Sequence, residues 1–146
     1  MLDKPAPTHA HLMTTATPLV LLPGTLCDGR VFSGLNPFLL GRELLTIDLA
    51  GASSAPQMAA AILAMAPPRF CLVGFSLGAI VALEVIAQAA DRVERLALLG
   101  GNARPITPEV AASREAALTH AREHGGASYV TTTWDASVPR SRAGDT

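Results

Sequence analysis

The sequence predicts an α/β protein with three layers, α/β/α, in which helices cover both faces of a mostly parallel sheet. Short and almost continuously apolar runs recur from position 18 onward, as expected for strands that are buried on both faces. Segments with helical start signals separate these runs, and this alternation is typical of βαβ units. The composition agrees with a globular core, since 49% of the 146 residues are hydrophobic and the net charge is −1.

Four apolar runs are predicted to form the strands. They are PLVLLPG from Pro18, LLTIDL over Leu44–Leu49, RFCLVGF over Arg69–Phe75 and VERLALLGG from Val93. The first run ends in a Pro-Gly dipeptide, which stops a strand and turns the chain. The two cysteines are too few for a disulfide framework and match no metal-ligand spacing. Cys71, inside the third run, is predicted to be a small buried hydrophobe.

Helical segments are predicted between the strands. A short helical piece is expected around Leu35–Leu40, where Pro37 interrupts it. Ser53 or Ser54 is expected to cap the next helix, with Pro56 in its first turn. Residues at a spacing of four and three are expected to form one buried stripe on that helix: Met58, Ile62 and Met65.

The composition changes after position 101. Thr107-Pro108-Glu109 predicts a helix start, and this helix is expected to stop at Gly125-Gly126. Residues 127–138 fit either a strand or one face of a helix, and we favour the helix, as part of a lid. The predicted organisation is a flexible tail over 1–17, an α/β core over 18–105 and a helical lid segment over 106–146.

The segment LVGFSLGAIVAL, Leu72–Leu83, places Ser76 between Gly74 and Gly78, where a predicted strand meets a predicted helix. This strand-turn-helix context is typical of a nucleophile elbow, which holds the serine in strained dihedral angles above the sheet edge. We expect that a Cβ at either glycine would strike the serine or the backbone of the crossing helix. The Leu77 N–H, at the start of the helix, is a natural donor to a developing oxyanion.

A second oxyanion donor is expected in the loop after the first strand, where Gly24 allows a sharp exit. The Thr25 N–H is the first candidate in this loop, and the Leu26 N–H is the second. Two backbone donors of this kind can stabilise a transition state by roughly several kcal/mol.

The residues from about Pro18 to Pro105 resemble the N-terminal half of the α/β-hydrolase superfamily. The similarity is strongest to small esterases and lactonase-like members whose oxyanion loop reads LLPG. TIDLAG resembles the loop after the next strand, and LVGFSLGAIVALEVIAQAADRVERLALLGGNARP resembles the elbow, its helix and the following strand. THAREHGGASYVTTTWDASVP is similar to the start of the helical lid.

The resemblance implies that Ser76 is the nucleophile and that Leu77 and Thr25 form the oxyanion hole. It also implies hydrolysis of esters, lactones or thioesters of a small-molecule acyl substrate, with no cofactor and no metal. The near-zero net charge favours neither nucleic acid nor a membrane as a partner. Without a recognisable leader or a long apolar span, a cytoplasmic location is expected.

The family's remaining catalytic groups, an acid and then a histidine, are expected on strands after the lid. Only a lid-sized segment follows the fourth predicted strand, so we expect a fold truncated after about four strands. His120 and His124 could reach the elbow from a lid, although solvated residues near a helix end are favoured. His9 and His11 precede the whole sheet.

Three aspartates, Asp28, Asp48 and Asp135, lie on loops near the relevant sheet edge, but none occupies the family's acid position. Three hypotheses remain open. The chain is the N-terminal half of a serine hydrolase, an inactive remnant that binds an acyl ligand, or one half of a split enzyme. A complementing chain, or self-association through an open sheet edge, is therefore expected among its partners.

Overall fold

The computed structural model describes residues 16–137, which divide between Ala103 and Arg104 into two compact units. The first unit contains the sheet, and the second contains two helices; each is described by itself below. Within the described residues, no helix combines the length and the apolar character needed to cross a bilayer.

Four parallel strands form the sheet of the first unit: β1 (Leu19–Leu22), β2 (Leu44–Thr46), β3 (Phe70–Phe75) and β4 (Val93–Leu99). Their order across the sheet is β2-β1-β3-β4, and every neighbouring pair is parallel. The predicted parallel sheet is thus confirmed. Parallel pairing brings the carboxyl ends of β1 and β3 to the same edge of the sheet, which is where ligands bind in such folds.

Helices cover both faces of this sheet. Helices α1 (Ala55–Met65) and α2 (Leu77–Ala89) pack on one face, in a cluster that includes Val20 and Leu22 of β1. A 3-10 helix (Gly29–Phe38) covers the other face, where its buried Phe32 packs in a cluster with the alternate β1 residues. Because successive strand residues point to opposite faces, a strand that is apolar throughout is buried on both sides.

The segment after β1 differs from its prediction. A helical piece was expected only around Leu35–Leu40, whereas the 3-10 helix already begins at Gly29. Asp28 causes this early start, since its carboxylate accepts a hydrogen bond from the Arg30 N–H at 2.9 Å and so caps the helix. Pro37 lies inside the helix and does not interrupt it.

Two further predictions were wrong in detail. The predicted strand LLTIDL ends at Thr46, because its partner β1 is only four residues long and stops before a proline. The expected stripe on α1 is buried at Ile62, which is 1% exposed, but Met65 is 57% exposed. Met65 is the last residue of α1, beyond the core cluster that Ile62 joins.

The second unit consists of α3 (Pro108–His124) and α4 (Gly126–Ser137). The predicted cap is present, since the Thr107 hydroxyl accepts a hydrogen bond from the Val110 N–H at 3.4 Å. The preference for a helix over residues 127–138 is confirmed through position 137. The domain boundaries stay a prediction. His9, His11 and the side chain of Asp135 lie outside the part of the chain that the structure describes.

The side chain of Arg92, the residue directly before β4, binds the C-terminal end of α1 and the residues that follow it. Its guanidinium donates to four carbonyl oxygens at 2.8–3.3 Å, those of Leu63, Ala66, Pro67 and Pro68. It also lies 5.7 Å from the ring centroid of the buried Phe70. The last carbonyl groups of a helix have no partner within the helix, so one arginine here satisfies several acceptors that would otherwise need water.

We expect Arg92→Gln to lower the free energy of unfolding by about 2 kcal/mol, since it removes charge-assisted hydrogen bonds at a part-buried position. Urea denaturation followed by circular dichroism measures this change. Arg69→Gln, at an exposed arginine directly before β3, is the matched control and should change stability by less than about 0.5 kcal/mol. Equal effects of the two substitutions would show that the four carbonyl contacts contribute nothing.

Candidate active site

Ser76 occupies the corner between β3 and α2, with φ 52° and ψ −112°. A positive φ is unfavourable for any residue with a Cβ and costs of order 1–3 kcal/mol. The Ser76 N–H donates to the Leu99 carbonyl of β4 at 2.8 Å, so the corner is anchored to the neighbouring strand. The strained conformation predicted for Ser76 is confirmed, and the residue is half-buried rather than packed away.

Close contacts with neighbouring backbone atoms explain why positions 74 and 78 require glycine. A Cβ at Gly74 would overlap the Gly78 carbonyl and lie 2.7 Å from the Ala79 Cα, as expected for a crossing helix backbone. A Cβ at Gly78 would overlap the Leu22 carbonyl of β1 and lie 2.7 Å from the next carbonyl oxygen. The expectation for Gly78 is therefore corrected: its close neighbour is the end of β1.

The loop after β1 lies directly beside the corner. A Cβ built on Gly24 would lie 3.1 Å from the Ser76 Cβ and 3.1 Å from the Phe75 ring. The Cys27 N–H donates to the Gly24 carbonyl at 3.2 Å and closes a tight turn, in which Leu26 has φ 58°. Leu26 and Ser76 are the non-glycine residues with positive φ within positions 16–137.

The sequence analysis expected this loop beside the elbow, and the close approach of Gly24 to Ser76 agrees with that expectation. The conformation of Leu26 was not expected. The positive φ of Leu26 has no sequence signal, because glycine or asparagine normally occupies such a position.

Unpaired hydrogen-bonding groups lie at the corner. Leu77 is the first residue of α2, so its N–H has no acceptor within the helix. Within positions 16–137 the Thr25 N–H and the Ser76 hydroxyl also form no hydrogen bond. A serine hydroxyl with free N–H groups on adjacent segments is an arrangement able to attack a carbonyl and to hold the resulting oxyanion. The catalytic roles of Ser76, Leu77 and Thr25 stay predictions.

Residues 16–103 bring no acid–base pair to Ser76. Asp28 is engaged by Arg30, whose side chain lowers the pKa of that carboxyl through hydrogen bonds. Asp48 is exposed after β2, two strands away from β3 in the sheet. Positions 16–103 contain no histidine.

Both described histidines belong to the second unit, where they interact with each other and with α4. His120 Nε2 lies 3.2 Å from Ser128 Oγ, and the His120 and His124 rings stack with centroids 4.6 Å apart. His124 is exposed, which agrees with a solvated residue near a helix end.

No protein-family model matches the chain. The chain is 38% identical, over an alignment of 95 residues, to the pimeloyl-[acyl-carrier protein] methyl ester esterase of Methylococcus capsulatus. This alignment covers 59% of the chain and 37% of that enzyme, so the chain spans well under half of the relative's length.

Solved structures share the fold. A thermophilic esterase from Thermogutta terrifontis superposes with a TM-score of 0.62 at 22% identity, over 76% of this chain and 46% of the esterase chain. An extracellular α/β-hydrolase from a Paenibacillus species superposes with a TM-score of 0.54 at 20% identity, over 69% and 50% of the two chains. These superpositions confirm the predicted α/β-hydrolase fold over part of the chain.

We expect Gly78→Ala to destabilise the first unit by about 3 kcal/mol, because the new methyl group would overlap the carbonyl end of β1. Gly34→Ala is the matched control, since a Cβ at Gly34 meets nothing within 4 Å. It should leave the free energy of unfolding within about 0.5 kcal/mol of the parent value, as measured by urea titration. A Gly78→Ala variant as stable as the Gly34→Ala variant would contradict the close approach.

We expect Ser76→Gly to be more stable than Ser76→Ala by about 1 kcal/mol, because glycine adopts the positive φ without strain whereas alanine keeps the Cβ. Thermal and urea unfolding of the two variants, side by side, measure this difference. Both substitutions remove the hydroxyl, so the comparison isolates the backbone. Equal stability would mean that the corner stores no strain.

Proposed function

We propose that this chain, which has part of the α/β-hydrolase fold and is related in sequence to an ester hydrolase, carries the nucleophile and oxyanion hole of a serine hydrolase. The observation that supports this most is the conformation of Ser76. A strained, half-buried serine begins a helix and lies beside the turn that carries Thr25. Strain of this kind persists where the surrounding structure enforces it, and it concentrates at functional sites.

In the proposed reaction the Ser76 oxygen attacks the carbonyl carbon of an acyl substrate, and its proton passes to a base. The carbonyl oxygen becomes an oxyanion between the N–H groups of Leu77 and Thr25. Each donor contributes on the order of 3 kcal/mol to transition-state stabilisation. The carbon–oxygen or carbon–sulfur bond to the leaving group then breaks, the leaving group takes the proton, and water hydrolyses the acyl-enzyme.

The proposed substrates are carboxylic esters, lactones or thioesters, which all present an acyl carbonyl to the same nucleophile and donors. The relative's name, a methyl ester esterase acting on a carrier-bound acyl chain, supports a carboxylic ester as the first substrate to test. A fluorophosphonate mimics the acyl group, since the Ser76 oxygen would form a bond to phosphorus while fluoride leaves.

The base and the carboxylate that orients it are proposed to come from outside residues 16–103, which contain no histidine. Without them Ser76 is a weak nucleophile at neutral pH. A site that binds an acyl group without turnover is the second candidate function. The lack of a histidine in residues 16–103 favours it. An added base distinguishes the two functions.

We expect a fluorophosphonate probe to label Ser76 slowly in the chain alone and at least about tenfold faster with added imidazole, which replaces the missing base. Peptide mass spectrometry locates the label. Ser76→Ala should abolish it. Ser54→Ala, at a serine whose side chain makes no capping hydrogen bond, is the matched control and should label like the parent.

Labelling that persists in the Ser76→Ala variant would rule out this nucleophile. Reversible binding of an ester without labelling, even with imidazole, would favour the binding-only function instead.

A further inference from the structure

His120 and His124 bring two imidazole rings together on one face of α3. The residues are four positions apart in the helix, so their side chains are neighbours on its surface. The rings stack with 4.6 Å between their centroids and an angle of 20° between their planes. His120 is half-buried, whereas His124 is exposed. Two histidines at this spacing on a helix are the pair of ligands that zinc-binding helices use.

The contacts of His124 leave one of its ring nitrogens available as a ligand. His124 Nδ1 lies 3.3 Å from the His120 carbonyl oxygen and 4.0 Å from a carboxylate oxygen of Glu123. Because a carbonyl oxygen only accepts hydrogen bonds, Nδ1 carries the hydrogen of the neutral ring, and the free lone pair is on Nε2. Histidines that bind metals usually donate their other ring N–H to a carbonyl or a carboxylate in this way.

Ser128, in the first turn of α4, places a hydroxyl oxygen beside the other ring. His120 Nε2 lies 3.2 Å from Ser128 Oγ. Two atoms at this separation subtend an angle of about 100° at an ion that is about 2.1 Å from each, which is close to the tetrahedral angle. The hydroxyl rotates freely, so its hydrogen can turn away and leave a lone pair toward the ion. The nitrogen and the oxygen are thus spaced as adjacent ligands of one metal ion.

We propose that His120 and His124 bind one divalent transition-metal ion through Nε2 of each ring, with the Ser128 hydroxyl as a weaker third ligand. The exposed ring of His124 rotates about its side-chain bonds and directs Nε2 at the ion that His120 holds. Imidazole nitrogen favours Cu²⁺, Ni²⁺ and Zn²⁺, whereas Mg²⁺ and Ca²⁺ prefer oxygen ligands. The site uses none of the residues of the proposed hydrolase reaction and does not depend on that function.

The small number of protein ligands makes this an open site with exchangeable metal. Among the side chains described within residues 16–137, no group of three or more histidine, cysteine or carboxylate residues is placed to hold a metal ion. Water therefore completes the coordination, unlike in a structural zinc site with four protein ligands. The dipoles of the two helices offset each other here, because the C-terminal end of α3 and the N-terminal end of α4 both lie at the site. Affinity thus comes from the two imidazoles, which are held together only when α3 is folded.

Metal titration of the full chain, without an affinity tag, tests the site by isothermal titration calorimetry. A His9→Asn/His11→Asn double variant is the background, because it removes the two histidines outside α3. In this background we expect one Zn²⁺ per chain with a Kd below about 100 μM, and Cu²⁺ binding at least about tenfold tighter. Mg²⁺ at about 1 mM should not bind.

Two sets of substitutions locate the ion. Replacing both His120 and His124 by Asn should weaken Zn²⁺ binding at least about tenfold, and far-UV circular dichroism checks that α3 still forms. Ser128→Cys should tighten Zn²⁺ binding at least about tenfold, since a thiolate is a much stronger zinc ligand than a hydroxyl. Ser113→Cys, at an exposed serine two turns earlier on α3, is the matched control and should bind Zn²⁺ like the background.

Several results would overturn the proposal. Equal Zn²⁺ affinity with and without the two α3 histidines would show that the ion binds elsewhere, and Mg²⁺ binding as tight as Zn²⁺ would show a non-specific charge effect. Ser128→Cys binding no tighter than Ser113→Cys would place the ion away from α4. Nitrogen-15 NMR of the imidazole rings checks the ligand atoms, since Zn²⁺ should shift the Nε2 resonances of both histidines. A shift at Nδ1 of His124 instead would contradict the proposed coordination.

Discussion

The close approach of α2 to the sheet determines the geometry of the whole first unit. Gly74 on β3 and Gly78 on α2 leave room for the helix backbone to cross within van der Waals contact of strand backbones. At this distance the first turn of α2 contacts the end of β1, whose exit loop is thereby held beside Ser76. The nucleophile candidate, the helix N-terminus and the loop after β1 meet because three backbones pack together where no side chain intervenes.

This packing also explains how a strained corner persists. The left-handed backbone of Ser76 costs free energy, and so does that of Leu26 in the facing turn. Burial of apolar residues on both sheet faces stabilises the fold and so offsets this cost. Once these residues are packed, the strands and α2 have few other arrangements. The positive end of the α2 dipole lies next to Ser76, and the Leu77 N–H at this end has no acceptor within the helix.

The two sides of the sheet are stabilised unequally. Around β1 and β3 the core is continuous, and Arg92 ties the β4 end of the unit to α1 through backbone carbonyls. Beyond β3 the apolar pattern continues into β4, but the burial does not. Within residues 16–137, β4 has leucines exposed on both faces and no strand beyond it, so its apolar side chains are only partly packed. The candidate site shows the same asymmetry, since residues 16–103 contain the proposed nucleophile and donors but no histidine.

The sequence by itself determined the parallel α/β architecture, the position of the elbow and the Thr107 cap, and it favoured a helix over residues 127–138 without excluding a strand. These features follow from local patterns, because apolar runs, flanking glycines and capping residues act over a few positions along the chain. Only the tertiary structure decided how closely Gly24 approaches Ser76, the positive φ of Leu26, the early end of β2 and the exposure of Met65. Each depends on which distant segment lies alongside, and no local pattern encodes that neighbour.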